Sequence, residues 1–313
     1  MDTVKISTRK AFGNSLLALG AKNSKVLALD ADLSKSTFSY LFGEKYPERF
    51  LQMGISEANM IGVASGLALC GYIPFACSFA CFITGRFDQI KMSVAYSGAP
   101  VRLVGTHAGV GIGEDGYSQQ GLEDIALMRS LPTMQVFQPA DDIETGSLLN
   151  YLADNKDPAY IRLTRQDVLR VHETDYQFSP GKFPLLKQGK DISVFATGGA
   201  VQHALLAARE LTALGIDVRV YNASSLKPVD DDAVFKAGLE TKLLVSIEDH
   251  TIIGGLGGAI AETLSSKAKM PRLLRLGIND IFGESGTPES LYEKHGLSQA
   301  KIAERLANEW RSF

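Results

Sequence analysis

Short apolar runs of strand length alternate with helix-length stretches in two successive blocks, and this alternation leaves few folds open to the chain. In the first block the strand-like runs lie at 26–30, 100–106, 134–137 and 159–163, with helical stretches at 7–20, 57–70, 85–97, 122–130 and 141–153. Strands that alternate with helices assemble a parallel sheet covered on both faces. Between His172 and Lys190 the pattern lapses, and Tyr176, Ser179-Pro180-Gly181, Phe183-Pro184 and Gly189 read as a connector. A second block follows, with strands expected at 192–196, 218–221, 243–247 and 273–277. Its helices are expected at 200–214, from the glycine cluster 254–258 to about 266, and at 298–311. The expected class is α/β with two open, mostly parallel-sheet domains at 1–172 and 190–313, joined by a linker at 173–189.

Composition narrows the function. A chain of 313 residues that is 45% hydrophobic can bury the cores of two domains. Its net charge is −3 and no run of Lys or Arg stands out, which argues against nucleic acid as a partner. Apolar stretches are broken by Gly, Pro or charge before reaching membrane-spanning length, so no membrane partner is expected. Met1-Asp2-Thr3-Val4-Lys5 lacks the apolar core of a signal peptide, and the expected setting is cytoplasmic. Cys70, Cys77 and Cys81 are odd in number and have no nearby histidine, so buried reduced thiols are expected rather than zinc ligands. No metal ligands are assigned to this chain.

Chemistry concentrates at a few points. From Glu57 the helix runs Ala58, Met60, Ile61, Gly62, Val63, Ala64, Gly66, Leu67, Ala68, Leu69, apolar or small on every face, which suits a core or a subunit contact. The helix dipole favours a carboxylate at its start, yet burial costs several kcal/mol, on the order of 2–7 for a polar group, unless something pairs with it. Alternatively, Ser56 caps the helix and Glu57 is a solvated acid of its first turn. Four further polar segments follow strands or lie just beyond them: Asp30-Ala31-Asp32-Leu33-Ser34-Lys35-Ser36, Thr106-His107-Ala108-Gly109, Gly113-Glu114-Asp115-Gly116-Tyr117-Ser118-Gln119-Gln120 and Leu163-Thr164-Arg165-Gln166. Open α/β sheets bind ligands outside the carboxyl ends of their strands, so these segments could converge; each alone reads equally as a solvated turn. Gly254-Gly255-Leu256-Gly257-Gly258 precedes a helix, where it could bind an anion or simply permit close packing. Thr197-Gly198-Gly199 lacks the rest of a nucleotide-binding fingerprint.

In this order the motifs resemble the pyrimidine-binding and C-terminal domains of transketolase, over about residues 10 to 300. The markers are Gly54-Ile55-Ser56-Glu57, Ser78-Phe79-Ala80-Cys81-Phe82, Thr106-His107, Gly113-Glu114-Asp115-Gly116, Arg129-Ser130-Leu131-Pro132 and Gln138-Pro139-Ala140-Asp141. The tail, Phe282-Gly283-Glu284-Ser285-Gly286 to Tyr292-Glu293-Lys294-His295-Gly296-Leu297, also matches. The resemblance implies thiamine diphosphate as cofactor, with Glu57 as the catalytic acid that hydrogen-bonds the pyrimidine ring and assists loss of the thiazolium proton. It further implies cofactor contacts from Asp32, Phe79 and Phe82. Substrate contacts are implied for Ser36, His107 and Arg165, around a sugar phosphate, and for Asp115 and Gln119.

Two positions depart from the family pattern. Gln119 stands where most transketolases have a histidine, and Gly85 replaces a further aromatic contact to the pyrimidine. The Gly-Asp-Gly segment that holds the diphosphate through a divalent metal is absent. The resemblance therefore implies the C-terminal subunit of a split enzyme. An N-terminal subunit would carry the diphosphate and Mg2+ (or Ca2+) site, and two such pairs would form a heterotetramer. The implied reaction is transfer of a two-carbon ketol unit from a ketose phosphate to an aldose phosphate, in carbohydrate metabolism. The alternatives are the β subunit of a 2-oxo acid dehydrogenase complex and a non-catalytic subunit that keeps only the fold.

Overall fold

The computed structural model describes residues 4–267 and 270–313. Its first sheet has seven strands in the order Ser225–Lys227, Gln135–Phe137, Ala159–Arg162, Arg102–Thr106, Ile73–Phe79, Val26–Asp30 and Phe50–Gln52. All neighbours are parallel except the short edge strand Ser225–Lys227, which comes from the second half of the chain. The second sheet runs Arg272–Ile278, Leu243–Thr251, Ile192–Ala196, Val218–Asn222, Leu185–Lys187, with only the last strand antiparallel. Leu185–Lys187 lies within the stretch expected to be a connector.

The strands alternate their side chains between two cores, as a period of two requires. Val26, Ala28, Phe75, Cys77 and Ile161 join Phe12 and Leu16 of helix Thr8–Lys22 on one face. Leu29, Ala76, Leu103 and Tyr160 join Met60, Ile61 and Ala64 of helix Glu57–Leu69 on the other. That second cluster continues without a break into Phe195, Tyr221 and Leu244 of the second sheet and Ile260 of helix Leu256–Ser265. A shared apolar core of this kind holds two units in a fixed relation.

Side chains close both ends of one helix that covers the first sheet. Asp141 caps helix Asp142–Asp154 by accepting from Glu144 N–H at 2.9 Å, and its other oxygen accepts from Val171 N–H and His172 N–H at 2.7 and 2.8 Å. At the far end of that helix the buried Arg102 donates to the Leu152 and Asn155 carbonyls, placing a cation at the negative end of the dipole.

Three local readings change. The central strand Ile73–Phe79 was not legible, because Pro74 and Ala76 are poor strand formers and its small residues show no alternation. Pro74 is tolerated because pairing with the Arg102–Thr106 strand begins only at Phe75. The helix expected at 85–97 is Phe87–Ile90 followed by a widened π turn at Lys91–Tyr96, and a separate short helix, Ala80–Thr84, precedes it. All three cysteines are free, but only Cys77 is fully buried, Cys81 is half-buried and Cys70 is exposed. Cys70 is the residue that ends the Glu57–Leu69 helix.

Candidate functional site

The first sheet brings several of the polar segments to the same end. Residues 31–36, 80–82, 107–109 and 163–165 leave the carboxyl ends of four neighbouring strands. Chain progression reverses between Val26–Asp30 and Ile73–Phe79, the kind of switch point where open sheets leave a crevice.

Glu57 opens its helix directly after the Phe50–Gln52 strand and a Gly54 at φ +68°. The residue is 5% exposed, and its carboxylate accepts a long hydrogen bond from Ser78 Oγ at 3.5 Å. The solvated alternative therefore fails. The carboxylate keeps most of its accepting capacity free for a ligand, since an ionised acid has about four lone-pair sites. From Ser78 a run of contacts leads outward. The Ser78 carbonyl accepts from Thr106 Oγ1 at 3.4 Å, and Thr106 Oγ1 lies 2.8 Å from His107 Nδ1. His107 Nε2 lies 3.0 Å from Arg9 Nη1, which also donates to the Ser36 carbonyl at 2.8 Å.

Donor chemistry fixes the histidine's state. A guanidinium can only donate, so Nε2 accepts and Nδ1 carries the proton toward Thr106. Burial, then the Arg9 and Arg165 charges, push the His107 pKa down to about 3, so the ring is neutral at physiological pH. His107 also adopts φ +58°, a left-handed conformation costing about 1–3 kcal/mol in a non-glycine residue, and such strain gathers at functional sites. Its ring stacks on Phe79 with centroids 3.8 Å apart, and Phe79 stacks on Phe82 at 5.5 Å. Phe79 is thus wedged between two rings, while Phe82 remains half-buried.

Arg165 donates to the Ile112 carbonyl and lies 3.7 Å from Glu114. Its charge lowers the pKa values of both Arg9 and His107, with burial the larger cause for each. Two guanidiniums and a neutral imidazole gather here, with the exposed Glu114 beside Arg165 and Asp167 acting on Arg9 as the acids within reach, and Arg9 Nε is buried without a partner. A dianion such as a phosphate suits that arrangement. Asp115 is exposed and Gln119 half-buried on the neighbouring loop, whose Gln119 carbonyl accepts from Cys81 Sγ at 3.2 Å. Asp32 is exposed at φ +65° and held through its N–H by Gln52 Oε1 at 2.7 Å. Among the described contacts, none ties Asp32 or Asp115 into the run from Glu57 to Ser36.

Arg9 was missed. The signal was present: a cation in the first turn of helix Thr8–Lys22, where the dipole disfavours positive charge and no acid accompanies it. Other sequence markers are structural. Arg129 donates to the Gly254 and Gly255 carbonyls, and Gln138 meets Thr197, both across the two halves. The glycine cluster is filled from within: Glu248 accepts from Leu256 N–H and Gly257 N–H at 2.7 and 2.8 Å, occupying that helix start. Among the described residues, no cluster of three or more His, Cys, Asp or Glu is placed to hold a metal ion. No described helix is long and apolar enough to cross a membrane.

Comparisons with known proteins agree with this geometry. Residues 4–170 match the transketolase pyrimidine-binding domain, and residues 181–302 the transketolase C-terminal domain. The chain is 42% identical to a putative transketolase C-terminal section of Methanocaldococcus jannaschii, covering 97% of this chain and 96% of that protein. It is 39% identical to a 6-deoxy-6-sulfo-D-fructose transketolase subunit of a Clostridium species, covering 96% and 93%. A solved split-gene transketolase, described as an inactive β4 tetramer, superposes with a TM-score of 0.90 at 45% identity, covering 97% of this chain and 98% of that one. Single-chain transketolases are matched over about half their length, 49% for the human enzyme. The chain belongs to the transketolase family and corresponds to the C-terminal section of a split transketolase.

Proposed function

We propose that this chain is the C-terminal subunit of a thiamine diphosphate-dependent transketolase, moving a two-carbon ketol unit from a ketose phosphate to an aldose phosphate in cytoplasmic carbohydrate metabolism. The observation that carries the reading is the run from buried Glu57 through Ser78, Thr106, His107 and Arg9 to Ser36, with the Phe79 and Phe82 rings beside it. An acid at one end and cations at the other match an aminopyrimidine and an anionic sugar.

The residues present fit the cofactor, because Glu57 is buried with open acceptor capacity beside stacked aromatic rings. When bound, thiamine diphosphate supplies the carbanion that attacks a ketose carbonyl. Glu57 holds a proton at the pyrimidine ring nitrogen, in surroundings that strengthen the bond. Phe82 and Phe79 pack the ring, and Asp32 is a further contact to the cofactor. Arg9, Arg165, His107 and Ser36 bind the substrate's anionic end, while Asp115 and Gln119 contact its hydroxyl groups. The proposed units are residues 1–172 and 190–313, joined by 173–189.

An N-terminal subunit would supply the diphosphate site with Mg2+ or Ca2+, in a heterotetramer. Support comes from the outer face near the Glu57 helix, where Ile55, Leu69, Met92 and Tyr96 are 84, 63, 56 and 82% exposed. Large apolar side chains grouped on a surface mark an interaction site.

The test is to mix this chain with its N-terminal partner, thiamine diphosphate and Mg2+ and to assay ketol transfer between sugar phosphates. Turnover by this chain alone would refute the two-subunit reading, and decarboxylation of 2-oxo acids by the complex would favour the dehydrogenase alternative. A sulfonated ketose is a second donor to assay. Gln119 replaces the usual histidine, and the Clostridium relative is named for such a sugar.

A further inference from the structure

The second half of the chain closes a ring of hydrogen bonds around the mount of Arg165. Asp249, in strand Leu243–Thr251, accepts through Oδ1 from Val110 N–H at 2.8 Å and through Oδ2 from Gly111 N–H at 3.2 Å. The same Oδ2 accepts from the Tyr292 hydroxyl at 2.8 Å. Tyr292 Oη in turn accepts from Gln166 Nε2 at 2.5 Å, and the residue before Gln166 is Arg165. Arg165 donates to the carbonyl of Ile112, which adjoins Gly111, and so completes the circuit.

The fit along this circuit is tight. A Cβ on Gly109 would stand 2.2 Å from Asp249 Oδ2, and one on Gly111 would stand 2.4 Å from Gln166 Nε2 and 2.5 Å from Tyr292 Oη. Beyond the turn, the loop carrying Asp115 and Gln119 lies against the 282–288 segment. Gln120 Nε2 donates to the Glu284 carbonyl at 3.0 Å, a Cβ on Gly116 would stand 2.5 Å from Ser285 Oγ, and the Tyr117 ring meets Phe282 edge-on at 4.6 Å.

We propose that Asp249 and Tyr292 are positioning residues that set the Arg165 guanidinium, and with it the 110–119 loop, for the anionic end of the substrate. The proposal rests on the functional reading above. Stability alone does not call for this ring: apolar side chains would bury as well, whereas a buried polar circuit imposes one geometry. Arg165 otherwise contacts only the exposed Glu114 at 3.7 Å among its described ion pairs, so Ile112 sets its direction.

Tyr292→Phe removes the hydroxyl and keeps the ring. In the complex with the N-terminal subunit, KM for a phosphorylated acceptor should rise about tenfold relative to KM for an unphosphorylated aldose, because small misplacement of a binding group is expensive. Turnover number and thiamine diphosphate affinity should stay within about twofold. In the isolated full chain, amide exchange at 110–112 should quicken. Ile260→Val, a cavity change in the other core cluster, is the control for general loosening. An unchanged KM ratio in an active complex overturns the proposal, as does an equal shift in Ile260→Val. A wild-type complex that transfers no ketol unit sinks the functional reading instead. The exchange experiment then still decides whether the hydroxyl holds the turn, and unaltered protection at 110–112 overturns it.

Discussion

The two sheets present the same kind of edge and use it in opposite ways. At the carboxyl ends of the first sheet, Glu57 is buried with one long hydrogen bond, Arg9 Nε lacks a partner and His107 holds a left-handed backbone. At the corresponding end of the second sheet, Glu248 turns onto the start of helix Leu256–Ser265 and satisfies its N–H groups. A Cβ on Gly255 would stand 1.9 Å from that carboxylate, so no ligand has room there. A shared topology offers a crevice in both places. The candidate site lies where a buried acid and a guanidinium are left incompletely satisfied at the same sheet end.

The largest expected contrast comes from the acids. Glu57→Gln should lower ketol transfer by the reconstituted enzyme about 100-fold or more, within the range for loss of a positioned acid–base group, while the thermal midpoint barely moves. A fully active Glu57→Gln enzyme would erase the distinction between the two edges. In the second sheet, Gly255→Ala should act the other way. Overpacking against Glu248 should cost about 1–3 kcal/mol in urea unfolding, with turnover per folded molecule retained.

Next comes the anion end. Arg9→Gln should raise KM for a phosphorylated acceptor roughly tenfold or more, the scale of one hydrogen bond to a charged group, and leave an unphosphorylated aldose unaffected. Equal effects on both acceptors would move Arg9 from the site to the scaffold.

The smallest effects concern pH and have opposite signs. His107 has a folded pKa of about 3 against an ordinary 6.5, so the unfolded chain binds more protons between those values. Its contribution therefore favours folding above pH 6.5 and is lost as pH falls toward 3. Burial raises Glu248 from 4.5 to about 7, so the folded state binds more protons in that window. That contribution is present below pH 4.5 and is lost as pH rises through 7. NMR should show no titration of the His107 ring between pH 8 and 5. Glu248→Gln should flatten the fall in stability from pH 5 to 7, and an unchanged slope would contradict the assignment.

Much of this was written locally. Helix Glu57–Leu69 shows in its run of small and apolar residues, and the buried strands Val26–Asp30 and Ile192–Ala196 in unbroken hydrophobic stretches. Glu57 stood out at the mouth of an apolar helix, and Ser36, His107 and Arg165 lie in polar segments beside strand ends, but Phe79, Phe82 and the roles of all six came from the resemblance to transketolase. The Ile73–Phe79 strand escaped because its small residues suit a position buried on both faces and carry no period.

Residue order alone therefore determined the two parallel sheets, the ends at which polar loops gather and the acid at the helix mouth, because those depend on neighbours within a few turns. Tertiary structure decided the rest. Arg9 meets His107 across 98 residues, Tyr292 meets Gln166 across 126, and Glu248 rather than a ligand fills the glycine-rich helix start. Such pairings depend on strand order and on how closely two backbones approach, and no local period records either.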